Sequence, residues 1–371
     1  MKHFFRTAFL FAILFALSVC TAQDSYRVIF LGDTHYDAED AKLHPEGISQ
    51  ARHRDTEMWK ERLPKLLTAA NKKATETNTA FVLQGGDMVE GYGGTADAHK
   101  NMLEAGYKRQ QSFFSVPFLT TAGNHDVSSK VLPGEPQPVH IYRKFATEYV
   151  IPAIRSIKGV SNILVSPKGT DIAFRYGKDL YFIMDFNYAG TKLAFVKKVL
   201  KENADARYKI ILTHAGPISW DVSWAPNWRL YGSHQKTMEE ILPVFQKHNC
   251  IFLTGHYHGI ASLEYTTELG SIYQIQGCCV WTPGVQEKLN VVRDKVEQYG
   301  GFIMKSKHLK TDEEKQALIN RFKPGLKSYF YAGGVGYMTL DISDSGVVIS
   351  YFHRDSDKVS YTFTIPPKNK Q

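Results

Sequence analysis

Five short apolar segments of this chain each run directly into a polar cluster, and this regularity constrains the fold more than any other feature. The segments are rich in β-branched and aromatic residues and lack polar alternation, which is typical of strands buried on both faces. Helical patterns separate several of them, so the sequence predicts an α/β sheet. The five transitions are YRVIFL into GDTH, AFVLQ into GGD, VPFLTT into AGNHD, YKIIL into THAG and CIFL into TGHYH.

The helical patterns place each polar cluster at the carboxyl end of a strand. In open α/β sheets, ligands bind in the crevice beyond those ends. We therefore expect the five clusters to meet in one site. The predicted helices are Arg52 to Ala74, Thr95 to Phe114, Lys192 to Ala204 and Gln235 to Lys247.

Further strand patterns predict a second sheet. Two strand-like runs between Asp171 and Asp185 flank Gly177-Lys178, which is a hairpin signal. The C-terminal third contributes five more runs, ASLEYTT, SIYQIQG, GYMTLDIS, GVVISYFH and KVSYTFTI, expected to complete a two-sheet sandwich. Between them, Thr282 to Ser328 is charged and helix-prone, and we interpret it as an insertion outside the sheet. The predicted organisation is a signal peptide at 1–22 and one domain at 23–371.

The N-terminus has the layout of a secretory signal. Lys2 and Arg6 precede an apolar run over 8–20 and the small residues before Gln23. The run is shorter than the roughly 20 residues that span a bilayer, so an exported protein, periplasmic or extracellular, is expected. Cleavage after Ala22 competes with lipid attachment at Cys20, because LSVC resembles a lipoprotein box. Val19 stands where that box usually has Gly or Ala, which favours plain cleavage over a membrane-anchored lipoprotein.

Charge and cysteine content exclude some classes of protein. Removing the signal takes away two basic residues and lowers the net charge from +8 to +6. No element concentrates Lys and Arg, so a nucleic-acid partner is not indicated. Without Cys20, three cysteines remain, which cannot form a paired disulfide framework. Cys250 opens an apolar run and is predicted to be a core residue.

The polar residues at the strand ends are carboxylates, an amide and imidazoles, without a thiolate. These oxygen and nitrogen donors suit Mn, Fe, Zn or a mixed pair of ions. There are more donors than one ion needs, so we expect two adjacent metals held about 3.5–4 Å apart by a bridging carboxylate. Asp87, in the middle of the set, is the natural bridge. The set comprises Asp33, His35, Asp87, Asn124, His125, His214, His256 and His258.

The blocks GDTH, GGD, GNHD, a lone His after a strand, and GHYH, in this order, resemble the signature of calcineurin-like metallophosphoesterases. The resemblance spans Asp33 to His258. It implies a four-layer α/β/β/α sandwich of two mixed sheets with a dinuclear metal site at the strand ends. By position, it implies one metal on Asp33, His35 and His258 and a second on Asn124, His214 and His256, with Asp87 bridging both.

The resemblance also implies roles for the two residues after Asn124. His125 would contact the phosphate or protonate the leaving oxygen, and Asp126 would orient its imidazole. Two cations lower the pKa of a bound water and polarise phosphoryl oxygens. The predicted activity is therefore hydrolysis of phosphate mono- or diesters by a metal-bridging hydroxide, on a small phosphorylated substrate.

Departures from known subfamilies narrow the resemblance. Protein Ser/Thr phosphatases have Gly and Glu where this chain has Tyr36 and Asp126. Purple acid phosphatases have Gly and a ligating Tyr where His35 and Glu90 stand. The pattern is most similar to bacterial cyclic-nucleotide phosphodiesterases and general phosphohydrolases. A nuclease of the same superfamily, or a metal-bearing surface binding protein without turnover, stays an alternative, and substrate, metal identity and oligomeric state stay open.

Several residues near the predicted ligands could face a substrate. Trp220 and Trp224 follow His214 in SWDVSWAPNW, where Pro226 favours a loop. We interpret these rings either as a hydrophobic lid packed on the domain or as a substrate-binding wall. Asp37 could accept the second N–H of His35. Of the remaining polar residues, most are expected to lie at the solvated surface: His44, His53, His99 and Glu90.

Overall fold

Two mixed β-sheets pack face to face, and helices cover their outer faces, as predicted. The computed structural model describes residues 24–37, 54–91, 95–127, 134, 136–185, 190–223 and 235–367. The strands are β1 (Tyr26–Leu31), β2 (Thr79–Gln84), β3 (Phe118–Thr120), β4 (Val160–Val165), β5 (Ile172–Tyr176), β6 (Asp179–Ile183), β7 (Lys209–Leu212), β8 (Ile251–Thr254), β9 (Ile260–Thr267), β10 (Gly270–Gln276), β11 (Asn290–Arg293), β12 (Leu326–Gly333), β13 (Gly336–Ser343), β14 (Gly346–His353) and β15 (Val359–Ile365).

The helices lie between these strands and confirm the four predicted helical segments. They are α1 (Arg54–Lys60), α2 (Arg62–Thr75), α3 (Ala96–Gln111), α4 (Asn124–Val127), α5 (Pro138–Phe145), a π-helical turn (Ala146–Val150), α6 (Ile151–Ser156), α7 (Gly190–Glu202), α8 (Gln235–Lys247) and α9 (Asp312–Phe322). The first predicted helix is split at Glu61, because Pro64 cannot donate to the carbonyl four residues earlier and so fits only a first turn. No helix in the described ranges is long and apolar enough to cross a bilayer.

The order of strands brings the predicted site residues to one edge of the sandwich. The six-stranded sheet runs β15-β14-β13-β1-β2-β3, and the nine-stranded sheet runs β11-β12-β9-β10-β8-β7-β6-β5-β4. Strands β1, β2 and β3 are parallel neighbours, as are β6, β7 and β8. Their carboxyl ends therefore lie at shared edges. The C-terminal strands complete the sandwich by joining both sheets.

The segment 282–328 differs in part from the predicted insertion. Its helix α9 forms as expected and begins at a capping box made by Thr311 and Glu314. Strand β11, however, pairs with β12 and is the edge strand of the nine-stranded sheet. The segment is therefore not wholly outside the sheet, because the β-branched run NVVR supplies a strand to the otherwise open edge of β12.

The two sheets are joined by an apolar interior and by aromatic contacts. Phe81 of β2 packs edge-on against Tyr181 of β6 with ring centroids 4.9 Å apart. Phe330 of β12 stacks on Tyr361 of β15 at 3.7 Å. A second apolar cluster lies on the other face of the nine-stranded sheet, and it contains Cys250, which is fully buried as predicted.

A buried polar network links the sheets at the end opposite the predicted site. The Asp179 carboxylate accepts bonds from the Tyr26 hydroxyl at 2.8 Å and from two nitrogens of Arg207 at 3.0 and 2.6 Å. The Tyr208 amide N–H donates a fourth bond at 3.0 Å. Asp179 is therefore the acceptor at which β1, β6 and the start of β7 meet.

Replacing Asp179 with alanine should lower the free energy of unfolding by about 3 kcal/mol, because it leaves buried donors and the Arg207 charge without their acceptor. Asp344 binds the same arginine but is 62% exposed, so Asp344→Ala should have a much smaller effect. Urea denaturation of both variants measures the difference. Equal losses would show that Asp179 is not the centre of this network.

Candidate metal centre

The carboxyl ends of β1, β2, β3, β7 and β8 bring all eight predicted site residues together. Asp33 forms a β-bridge with Cys278, and Tyr36 forms one with Val89, so the loops after the strands are in register. Five of the eight side chains are buried, and three are partly exposed, namely Asn124, His125 and His258. The ends of two different sheets therefore form one polar cluster.

The first donor cluster consists of Asp33, His35 and His258, which each offer one ligand atom within 4.8 Å of the others. The backbone N–H of His256 donates to both carboxylate oxygens of Asp33, at 2.8 and 3.0 Å. These bonds fix the orientation of the carboxylate. Burial raises the pKa of Asp33, and the neighbouring His214 opposes this shift.

The second donor cluster consists of Asp87, His214 and His256, joined by the amide oxygen of Asn124. That oxygen lies 3.1 Å from His214 Nε2 and 3.0 Å from His256 Nδ1. An ion with bonds of about 2.0–2.2 Å holds neighbouring ligand atoms about 3.0–3.5 Å apart. The donor types and their spacing therefore fit a metal ion.

Asp87 is a member of the second cluster and also faces a donor of the first. Its Oδ2 is 3.1 Å from His214 Nε2 and 3.8 Å from His35 Nε2. Its Oδ1 accepts the backbone N–H of His125 at 2.8 Å, which leaves Oδ2 facing both clusters. Burial alone would raise the pKa of Asp87, but His214 and His125 outweigh burial and hold it well below its usual range.

A backbone carbonyl orients one imidazole of the second cluster, and the surroundings set the protonation of both. His214 Nδ1 donates to the Gly85 carbonyl at 2.8 Å and so directs Nε2 into the cluster. Burial and His214 hold the pKa of His256 well below its usual range, which keeps it neutral as a ligand must be. Burial lowers the pKa of His214, but the neighbouring Asp87 carboxylate outweighs burial and raises it to about 9. A cation that binds His214 therefore displaces a proton.

The backbone at the ligands is strained. His35, Asp87, His256 and His258 have φ values of 43°, 50°, 81° and 44°, and they are four of the eight non-glycine residues with positive φ in the described part. L-residues rarely adopt this region unless the surroundings impose it, and such residues concentrate at functional sites. Gly123 is also required, because a Cβ there would lie 2.1 Å from Asp87 Oδ1.

Glu90 is a buried partner of His35, not a surface residue. Its Oε2 lies 2.7 Å from His35 Nδ1, which directs His35 Nε2 into the first cluster. Asp37, which was predicted to have this orienting role, is also buried. The motif GGDMVEG places Glu90 three residues after Asp87, and the bridge between Tyr36 and Val89 brings it beside His35.

Replacing Glu90 with leucine should weaken metal binding or activity by about 10–100-fold, the usual cost of losing a carboxylate that orients a ligating histidine. Glu90→Gln should cost less, because its amide oxygen can still accept from Nδ1–H. Metal titration of both variants, followed by calorimetry, measures the difference. Wild-type affinity in Glu90→Leu would contradict this role.

His125 is placed beside the clusters without belonging to either predicted ligand set. Its Nδ1 donates to the Glu90 carbonyl at 2.6 Å, and its Nε2 lies 4.0 Å from Asp87 Oδ2. Its ring packs edge-on against His35 at 4.6 Å. The side chain is 12% exposed.

Asp126 does not orient His125, contrary to the prediction. Its carboxylate accepts from the backbone N–H groups of Gly123, Met88 and Val89 at 2.8, 3.3 and 3.2 Å. Consecutive residues of a helical turn point in different directions, so Asp126 faces inward where His125 faces the site. Burial and Asp87 raise the pKa of Asp126 to about 7.

Two predictions for residues near the substrate are wrong, and three concern residues outside the described part of the chain. Trp220 is 1% exposed and packs in the apolar cluster on the helix-covered face of the nine-stranded sheet, so the substrate-wall interpretation is wrong for this residue. Its neighbours Ile218 and Val222 are buried with it. Trp224, His44 and His53 lie outside the described residues. His99 is on α3 and fully buried, so its predicted surface position is also wrong.

Comparisons with known proteins agree with this fold. The family model of calcineurin-like phosphoesterases matches residues 26–259. A dimetal phosphatase from Danio rerio is similar over 92% of this chain and 99% of its own, with a TM-score of 0.52 and 13% identity. PhoD is similar over 92% of this chain and 68% of the PhoD chain, with a TM-score of 0.51 and 13% identity.

A third similar structure is GAP50, described as the anchor in the inner membrane complex of Plasmodium. The alignment covers 94% of this chain and 90% of the GAP50 chain, with a TM-score of 0.50 and 14% identity. A comparison with curated protein sequences finds no match. At these identities, the structural neighbours show a shared fold.

Proposed function

The chain belongs to the calcineurin-like phosphoesterase family, and on this premise we propose that it hydrolyses phosphate mono- or diesters with two bound metal ions. One observation carries the proposal: Asp87 Oδ2 faces donors of both clusters, at 3.1 and 3.8 Å. A carboxylate in this position is what two adjacent cations share. Mn, Fe and Zn each fit these sites, because oxygen and nitrogen donors suit all three.

The donor sets assign residues to each ion. Asp33, His35 and His258 would hold one, and Asn124, His214 and His256 the other. Bound cations would supply an activated water near neutral pH and neutralise charge on the phosphoryl oxygens. The protein's part is to fix the donors, and the bonds from the His256 N–H to Asp33 and from His214 Nδ1–H to the Gly85 carbonyl do so.

His125 is proposed to act on the leaving group. Its Nδ1 is held by the Glu90 carbonyl, and its Nε2 lies 4.0 Å from Asp87 Oδ2. In the imidazolium form, Nδ1–H stays bound to the Glu90 carbonyl and Nε2–H can pass its proton to the departing oxygen, which is general acid catalysis. This role requires no covalent intermediate with the enzyme.

The test is hydrolysis of p-nitrophenyl phosphate and bis-p-nitrophenyl phosphate by protein loaded with Mn²⁺, Fe²⁺ or Zn²⁺. We expect turnover of at least one ester, and the ratio of the rates distinguishes a monoesterase from a diesterase. Cleavage of DNA or RNA faster than of either ester would favour the nuclease alternative. Two bound metals without hydrolysis of any of these would favour a metal-bearing binding protein and contradict the proposal.

We also propose that the protein is exported, on the sequence pattern of Lys2, Arg6 and the apolar run that follows. Intact mass spectrometry of the protein from its native source should find a chain starting at Gln23. A lipid on Cys20 would support export by the anchored route. An unprocessed chain starting at Met1 would contradict the proposal.

A further inference from the structure

Helix α3 places two buried polar side chains against the loops of the second donor cluster. His99 Nε2 lies 2.8 Å from the carbonyl oxygen of Asp126. Gln110 Nε2 lies 3.2 Å from the carbonyl oxygen of Met88. Both side chains are fully buried, and their spacing of eleven residues places them on the same helix face.

The direction of the His99 bond follows from its partner. A carbonyl oxygen only accepts, so His99 Nε2 must carry the hydrogen and donate. His99 Nδ1 is then left as an acceptor, and no donor reaches it within the described part of the chain. Burying such an atom is unfavourable. An imidazole at this position therefore carries an unfavourable free energy. We infer that the hydrogen bond from its Nε2–H to the Asp126 carbonyl is the reason for its presence.

Each acceptor lies next to residues of the site. The Asp126 carbonyl belongs to α4, whose first two residues are Asn124 and His125. Met88 follows Asp87 directly. The Asp126 carboxylate then joins the two loops through the N–H groups of Gly123 and Met88. His99 and Gln110, both on helix α3, thus bind the two loops that the Asp126 carboxylate joins.

We propose that His99 is a positioning residue, which together with Gln110 makes α3 the support that holds Asn124 and His125 in register with Asp87. The inference rests on the proposed function, because its effect is on metal binding and on the proposed general acid. It concerns Asn124, His125 and Asp87, because the carbonyls that His99 and Gln110 bind belong to the residues that directly follow His125 and Asp87.

Three variants test this inference. His99→Leu removes the donor, whereas His99→Gln can place an amide N–H near the former Nε2. Tyr107→Phe is the matched control, because Tyr107 is a buried residue of the same helix whose hydroxyl donates to the Phe118 carbonyl at 2.9 Å, away from the site. Metal titration of the apoprotein, kcat and KM on bis-p-nitrophenyl phosphate, and Tm are measured for each.

We expect His99→Leu to weaken one of the two metal sites, with a loss of about 10–100-fold in affinity or in kcat and a smaller change in KM. His99→Gln should restore most of that loss. Tyr107→Phe should lower Tm without changing metal affinity. If His99→Leu does not fold, Gln110→Met removes the second donor at similar volume and carries the same expectation.

Two results would overturn the inference. One is a His99→Leu protein with wild-type metal affinity and kcat, changed only in Tm as in the control. The other is a His99→Gln protein as impaired as His99→Leu. The metal titration does not depend on turnover. A wild type that binds two metals and hydrolyses nothing would therefore contradict the proposed activity and leave this inference standing or falling on affinity alone.

Discussion

His125→Ala should lose about 10²–10⁴-fold in kcat, the contribution of a positioned general acid, while keeping two metals. The reason is geometric. His125 Nδ1 is held by the Glu90 carbonyl, and its Nε2 lies 4.0 Å from Asp87 Oδ2, whereas neither of the two proposed ligand sets includes His125. Removing the ring therefore removes a proton donor and leaves the donors to the cations in place.

The dependence on leaving group makes this prediction sharper. A p-nitrophenolate departs readily without protonation, so the loss should be larger for an alkyl phosphate ester than for p-nitrophenyl phosphate. Steady-state kinetics on both ester types, with elemental analysis of each protein, measures it. His140→Ala is the control, since His140 is exposed on α5. Loss of metal from His125→Ala, or an equal loss on both esters, would contradict the role of general acid.

Asp87→Asn should abolish two-metal binding and reduce turnover by more than the roughly 100-fold typical of residues outside the ligand set. Asp87 Oδ1 accepts the His125 N–H at 2.8 Å, so the asparagine oxygen is expected to keep that bond. Its NH₂ group would then occupy the position of Oδ2, between the clusters. An amide nitrogen there donates hydrogen bonds and cannot bind a cation.

Asp341→Asn provides the control for this substitution. Asp341 is a partly exposed carboxylate that pairs with Arg27 at 2.7 Å, away from the site. Calorimetric titration with Mn²⁺ or Zn²⁺ should find two sites in wild type and in the control. Retention of two ions with wild-type affinity in Asp87→Asn would show that this carboxylate does not bridge.

The strands and the site cluster could be predicted because they depend on local patterns. Strand β1 covers the predicted YRVIFL, and helix α8 covers the predicted Gln235–Lys247. Strands buried on both faces leave continuous apolar runs in the sequence, and their carboxyl ends must meet when they are parallel neighbours. The convergence of Asp33 and Asp87 therefore followed from the order of β1 and β2, whereas His214 joins them because the second sheet, which contains β7, packs face to face with the first.

The residues behind the ligands could not be predicted from local patterns. Glu90 and His99 are polar residues that look solvated in sequence, and only the packing of α3 and the loop after β2 buries them. A buried polar side chain is recognised by its partner, which here lies 27 or 55 residues away. Asp126 was assigned to the wrong partner for a similar reason, since adjacency in sequence does not imply contact.

The edge strand β11 shows a further limit of sequence patterns. Its four residues are mostly exposed, so they lack the apolar pattern of a buried strand. Their pairing depends on the open edge of β12, which is 33 or more residues away in the chain. Only the tertiary fold reveals that edge.

The number of metal ions per chain tests the central claim most directly. Purified protein, stripped with a chelator and reloaded, should be measured by elemental analysis beside its rate on p-nitrophenyl phosphate and bis-p-nitrophenyl phosphate at each metal loading. The dinuclear account predicts two ions per chain and hydrolysis that appears only as the second ion binds. Full activity with one ion, or no ion retained after reloading, would contradict it.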